Sequence, residues 1–222
     1  MNEKSISEMI KVNSEIENIL QKFKISVKIN MGILNNLVRN HLPQTRDVAL
    51  GIAKHLPDDL KREVNHKALA KATSLHDIAK VIIPENIINK SGTLTKNERK
   101  IMEEHARLSY EMLKTTDLDK ATLNLIKKHH HTKESYVSDI NLQILSLADI
   151  YSALREKRSY KDEMSKEQAL KIIRKETQKG KFSTCIYKAL VEYTNSEELY
   201  CPLKRNSKWK VFNFKSVDSL SA

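Results

Sequence analysis

The sequence predicts an all-α fold, and three features of it carry that expectation. Punctuation is scarce, with 4 Gly and 4 Pro in 222 residues, too little to turn many short strands. Strong helix formers fill the space between, led by 39 Lys+Arg and 28 Asp+Glu, most of which lose little side-chain freedom in a helix. Apolar residues then recur at spacings of three and four in segment after segment, the period of one helix face. A chain of this length suits one compact domain with an added helical hairpin or tail better than two full cores.

Taken in order, Ile6, Met9, Ile10, Ile16, Ile19, Leu20 and Phe23 predict a leading amphipathic helix over about 4–24. Ile33, Leu34, Leu37 and Val38 mark a second helical stretch, and Pro43 is placed to start a third that carries Val48, Ile52 and Leu56 at spacing four, since proline is favoured in a first turn. From His66 to Lys80 small and apolar residues (Ala68, Leu69, Ala72, Leu75) predict another helix, which Pro84 brings to a break. The segment IPENIINKSGTLTKNE reads as a loop. Inside it Thr95 followed by Glu98 forms a capping box, which predicts a helix over about 96–114. Further helices are expected at about 119–131, 140–155, 165–179 and 184–193. The stretch from Lys204 to Val217 alternates around Trp209, Val211, Phe212 and Phe214 and reads as a strand or extended arm. The chain thus divides into an N-terminal helical extension over 1–38, a central body over 39–195 and a basic-aromatic tail over 196–222.

Composition excludes several classes. Cys185 and Cys201 have neither metal-knuckle spacing nor a disulfide framework, which favours a reducing compartment. The opening MNEKSISEMI has no apolar signal core, and no stretch approaches the roughly 18 apolar residues of a membrane span. A cytoplasmic protein without membrane attachment is expected. The net charge of +11 would draw anions, yet the lysines are scattered as on a solvated helical surface and no base-reading motif accompanies them. Nucleic acid therefore ranks last among partners.

The chemistry lies in residues that interrupt apolar stripes. His76 stands four residues after Ala72 and seven after Leu69, on the inward face of its helix, with Asp77 beside it. A buried carboxylate costs several kcal/mol unless a cation or hydrogen-bonded partner compensates. Lys80, one turn on, either neutralises Asp77 or offers a cation to a substrate phosphate. His105 falls four residues after Ile101 and three before Leu108. Alone it would read as a hydrogen-bonded core histidine. In the run 129–131, Leu125 and Ile126 set the inward stripe; His129 and His130 continue it, while His131 lies above Lys127 and Lys128 on the polar side. Asp149 follows Leu145 by four and Leu142 by seven. Two carboxylates and four histidines on inward stripes of four helices point to a metal site of mixed donors, suited to iron, manganese or zinc. Such a centre makes phosphoester hydrolysis the natural chemistry.

The motif order resembles that of the HD-GYP family of metal-dependent phosphohydrolases. LHDIAKVIIPENIINKSGTLTKNE is similar to its His-Asp-Ile-Gly-Lys pattern with the proline, Lys, Gly, Leu-Thr and Glu that follow, and the match runs on through His105, His129-His130, Asp149 in LADIYSAL, and Arg158 with Tyr160 in KRSYK, over roughly residues 40–195. The resemblance implies an all-helical HD-domain bundle that hydrolyses cyclic di-GMP or cyclic GMP-AMP in bacterial signalling. It implies His76, Asp77, His105, His129, His130 and Asp149 as metal ligands, Asp77 bridging and catalytic, Lys80 catalytic on phosphate, and Lys80, Arg158 and Tyr160 on the substrate. There are departures. The family's first histidine corresponds to Gln44, and the acidic residue supporting a third metal to Asn40. His41, one turn before Gln44, substitutes only if that turn is rearranged. The Gly-Tyr-Pro segment is replaced by TKESYVSDIN, Ala79 stands for a glycine and Ser152 for an aspartate. Two divalent metals are expected rather than three.

The leading expectation is thus a metal-dependent phosphodiesterase acting on a cyclic dinucleotide or related phosphoester. The alternative is a degenerate signalling module that binds a nucleotide or protein partner without turnover, motivated by Gln44 and the missing loop. The leading helix and the tail are each suited to homodimer formation, although an amphipathic helix more often packs on its own core.

Overall fold

A computed structural model describes residues 13–130, 139–156 and 162–200, and every regular element among them is a helix. The first, α1 (Ser14–Lys22), starts on Asn13, whose side chain accepts from Ile16 N. It ends short of the expected 24, because Lys24 takes a left-handed φ of 55°. Residues 4–12 of the expected helix lie outside the described residues.

Helix α2 (Met31–Asn36) passes through a π turn (Leu37–His41) into α3 (Leu42–Lys54). Pro43 stands in the first turn of α3, as expected, but the chain reaches it already helical from Met31 rather than from a loop. In a regular α-helix a prolyl ring has no N–H to give and collides with the carbonyl four residues back. Here the Leu42 N–H reaches Leu37 O, five residues back, and the widened turn admits the ring.

A short α4 (Asp58–Arg62), not expected, follows Pro57 with two aspartates in its first turn. Helix α5 (His66–Thr73) is capped by Asn65 and stops well before the expected Lys80. The Thr73 and Ser74 hydroxyls take the carbonyls of Leu69 and Ala70 at 2.9 Å each, in competition with helix continuation. The chain goes on as turns and a 3-10 helix (Ile78–Ile82). The predicted loop contains one helical turn, α6 (Glu85–Ile88), behind Pro84. The Thr95–Glu98 capping box is present, with Glu98 N–H donating to Thr95 Oγ1 at 3.2 Å and Thr95 N–H to Glu98 Oε2 at 2.7 Å. The single helix expected over 96–114 is two, α7 (Lys96–Glu103) and α8 (His105–Leu113), broken at Glu104. Then come α9 (Lys120–Lys128), α10 (Ile140–Arg155), α11 (Lys166–Gln178) and α12 (Thr184–Tyr200), the last longer than expected. The arm expected at 204–217 lies outside the described residues.

Helix α3 is central, packed on α5, α10 and α12, while α9 lies across α5 and α8. Gly51 lets α12 seat close: a Cβ there would fall 2.3 Å from the Tyr193 ring. Helix α1 covers α8 through Ile16, Ile19 and Leu20. The core is a single apolar cluster running from Ile16 to Leu190. No described helix is long and apolar enough to cross a membrane.

Candidate metal centre

Among the described residues the buried histidines and aspartates gather in one place in this core, and separate elements deliver them. His41 ends the π turn and opens the buried register His41, Thr45, Val48, Ile52. His76 and Asp77 lie in the turn after α5; His76 keeps a helical N–H bond to Ala72 O at 2.8 Å, so its inward phase survives the end of the helix. His105 is the first residue of α8, at the break after Glu104. His129 and His130 leave the C-terminus of α9, held there by Ser146 Oγ of α10, which donates to His129 O at 2.5 Å. Asp149 sits on the α10 stripe of Leu142 and Leu145. All are buried except His130, at the exposed rim.

The donors form two groups that share Asp77: His41, His76, Asp77 and Asp149, and Asp77, His105, His129 and His130, with the donor atoms of each group within 4.8 Å of one another. The two oxygens of Asp77 serve different groups. Its Oδ2 lies 3.2 Å from His41 Nε2 and 3.6 Å from His76 Nε2. Its Oδ1 lies 2.9 Å from His105 Nε2 and 3.7 Å from His129 Nε2. Asp149 Oδ1 completes the first group, 3.1 Å from His41 Nε2 and 3.6 Å from His76 Nε2.

Three of the rings are aimed by the backbone. His76, His105 and His129 each set Nδ1 against the carbonyl three residues back, Thr73, Met102 and Ile126, at 3.1, 2.5 and 2.7 Å. A carbonyl accepts only, so Nδ1 carries the proton and Nε2 presents a lone pair inward. The lone pairs of His105 and His129 meet, their Nε2 atoms 3.2 Å apart, and His130 Nε2 lies 3.0 Å from His105 Nε2. Converging lone pairs suit a shared cation.

The remaining buried atoms agree. His41 Nδ1 and Nε2, His76 Nε2 and Asp77 Oδ1 make no well-formed hydrogen bond, although carboxylates and imidazoles crowd them. Burial disfavours a charged His41, but Asp149, Asp77 and Glu156 outweigh it and raise its pKa well above the usual range. Burial would likewise raise Asp77, yet Lys80, His76 and His105 hold it well below the ordinary carboxylate range. His105 is pushed down, first by burial. Two buried carboxylates facing imidazole donors form a pocket that wants positive charge, and the mixed nitrogen and oxygen set fits a divalent transition metal.

The six residues expected as ligands are thus brought together. Lys80 pairs with Asp77, its Nζ 2.5 Å from Oδ2, with its side chain partly open to solvent. His41 joins the cluster in the place expected of Gln44, which is half-buried. Its spacing of four before Thr45 and seven before Val48 is the signal that would have found it; alignment on the family's His-to-Val spacing led to Gln44 instead. Glu156, which the sequence reading missed, lies 3.5 Å from His41 Nδ1. Arg158, Tyr160 and His131 lie outside the described residues, as does most of the TKESYVSDIN segment.

Residues 38–154, more than half of the chain, match the HD domain, and the chain belongs to that family. Among known proteins it is 36% identical over 156 residues to a probable cyclic di-GMP phosphodiesterase of Vibrio cholerae, an alignment covering 60% of this chain and 35% of that protein. It is 26% identical over 159 residues to 3'3'-cGAMP-specific phosphodiesterase 1 of the same organism, covering 67% and 36%. A third relative, the cyclic di-GMP phosphodiesterase response regulator RpfG of Xanthomonas campestris, is 28% identical over 115 residues, 47% of this chain and 30% of the relative. The chain spans about a third of the length of these relatives.

Proposed function

We propose that the chain is a metal-dependent phosphodiesterase that hydrolyses a cyclic dinucleotide, cyclic di-GMP or cyclic GMP-AMP, and the observation that carries this reading is the pair of donor groups sharing Asp77. In it His41, His76, Asp77 and Asp149 hold one divalent ion and Asp77, His105, His129 and His130 hold a second, from among iron, manganese and zinc. Such ions, when bound, activate water and draw charge from phosphate oxygens. The chain's own residues do the rest. The backbone carbonyls keep three imidazoles in the ligating tautomer. The Asp77 carboxylate holds the two halves in register, and Lys80, anchored on Asp77 and partly open to solvent, offsets the charge of the substrate phosphate. Arg158 and Tyr160 are assigned to the substrate on their match to the family pattern alone. The catalytic body is assigned to 39–195, between a helical extension over 1–38 and a tail over 196–222, and the protein to the cytoplasm.

The names of the relatives support the substrate class. The alternative of a binding module without turnover rested partly on Gln44, and His41 beside Asp77 and Asp149 weakens that ground. The test is elemental analysis of the purified chain, with hydrolysis of cyclic di-GMP, cyclic GMP-AMP and a generic bis-aryl phosphate in added Mn2+ or Fe2+. Asp77→Ala is expected to lose both metal and turnover. A parent chain free of metal and as inactive as Asp77→Ala would refute the reading. Turnover of the aryl ester alone would refute the substrate class.

A further inference from the structure

His41 is the exception among the buried imidazoles. His76, His105 and His129 each lean on a carbonyl three residues back in their own segment. His41 sits in a π turn, and the group that faces its Nδ1 is a carboxylate from another helix, Glu156 Oε2 at 3.5 Å. The side of the ring decides what that carboxylate does. Asp77 and Asp149 approach Nε2, while Glu156 approaches Nδ1, so Glu156 stands behind the imidazole rather than among the donors.

The placement of Glu156 is costly, which argues that it serves something. It follows the last residue of α10, where the negative end of the helix dipole disfavours a carboxylate. Its side chain is only 10% exposed, unusual for glutamate. It is also steadied from the third layer: Asn36 Nδ2 lies 3.5 Å from Glu156 Oε1, and Asn40 donates to Asn36 Oδ1 at 2.6 Å. Both asparagines precede His41 on the same helical run.

We infer that Glu156 is a positioning residue for His41, accepting from its Nδ1–H and fixing the ring so that Nε2 faces Asp77 and Asp149. It does for this one histidine what main-chain carbonyls do for the other three, and the carboxylate also makes the imidazole a stronger donor. The inference rests on His41 being a metal ligand as proposed above.

The experiment measures Mn2+ affinity by chelator competition on the full chain, with thermal unfolding of the metal-free proteins alongside. Glu156→Ala is expected to weaken the affected Mn2+ site about 10–100-fold with little change in metal-free melting. Glu156→Gln, whose amide oxygen still accepts from Nδ1, is expected to fall between parent and Glu156→Ala. In His41→Ala protein, Glu156→Ala is expected to cause no further loss. Parent-like Mn2+ affinity in Glu156→Ala, or an equal loss in the His41→Ala background, would overturn the assignment. The underlying reading fails separately. A parent chain that binds no Mn2+ overturns the site and this inference together, whereas one that binds Mn2+ without phosphodiester turnover overturns only the proposed activity.

Discussion

At the scale of single residues, Asp77 carries more of the site than any other side chain, because its two oxygens face different donor groups. His41 is the more informative residue. Removing it is expected to weaken metal binding beyond the roughly 100-fold typical of losing a supporting group, while Gln44→His is expected to leave metal retention unchanged; chelator competition on both variants checks this. A clear gain from Gln44→His would mean that Gln44, and not His41, occupies the ligand position. The phase of each apolar stripe put His76, His105, His129 and Asp149 inward, and all four are buried, since an ionisable residue in register with buried neighbours keeps that register even where the helix ends; His130, read on the same inward stripe, lies instead at the exposed rim of the cluster. His41 obeys the same rule through Thr45 and Val48, so it too was legible. Glu156 falls in register too, seven after Asp149 and four after Ser152, but a glutamate just past a helix C-terminus reads as a solvated residue.

At the scale of elements, the caps read well and the interruptions did not. The Thr95–Glu98 box appears as expected because it depends on two residues three apart. The π turn, the stop at Thr73 and the break at Glu104 depend on where carbonyls find partners, which a pattern of apolar residues does not encode. The π turn makes a prediction. With Pro43→Ala, the missing N–H returns and the ring clash disappears, so the turn is free to close to the regular α-helical register. His41, at the junction, is then expected to move off the cluster: metal affinity falls while the metal-free melting temperature holds or rises, as titration and calorimetry will show. The capping box makes another. Glu98 is held at about 2 against an ordinary 4.5, chiefly by Lys90 and then by the Thr95 backbone. Its folded-state pKa is depressed, so its contribution is complete above about pH 4.5 and is lost as pH falls toward 2. Melting temperatures of Glu98→Gln across that window are expected to fall less steeply than those of the parent.

At the scale of the whole molecule, the candidate ligands come from residue 41 to residue 149 and from the turns and helices that enclose the core. A bound ion would therefore join segments that are far apart in the chain. Binding to the folded state alone stabilises it by about 2.7 kcal/mol at a free concentration one hundred times the dissociation constant. For a chain of this size that is a rise of roughly 5–10 °C, which scanning calorimetry with Mn2+ against a chelator will measure; equal melting in both would count against ions bridging these segments. The fold class was open to sequence reading because helix periodicity and scarce glycine act over the whole chain. Seating α12 on α3 was not, because it turns on one absent Cβ at Gly51 meeting Tyr193. The contrast among the histidines has an evolutionary consequence. Three rings are oriented by main-chain carbonyls, which no point substitution deletes, so that part of the site is robust to mutation. On the reading proposed above, the His41 corner depends in addition on the identities of Pro43 and Glu156, so that there a single substitution outside the donors themselves would be enough to lose, or retune, metal binding.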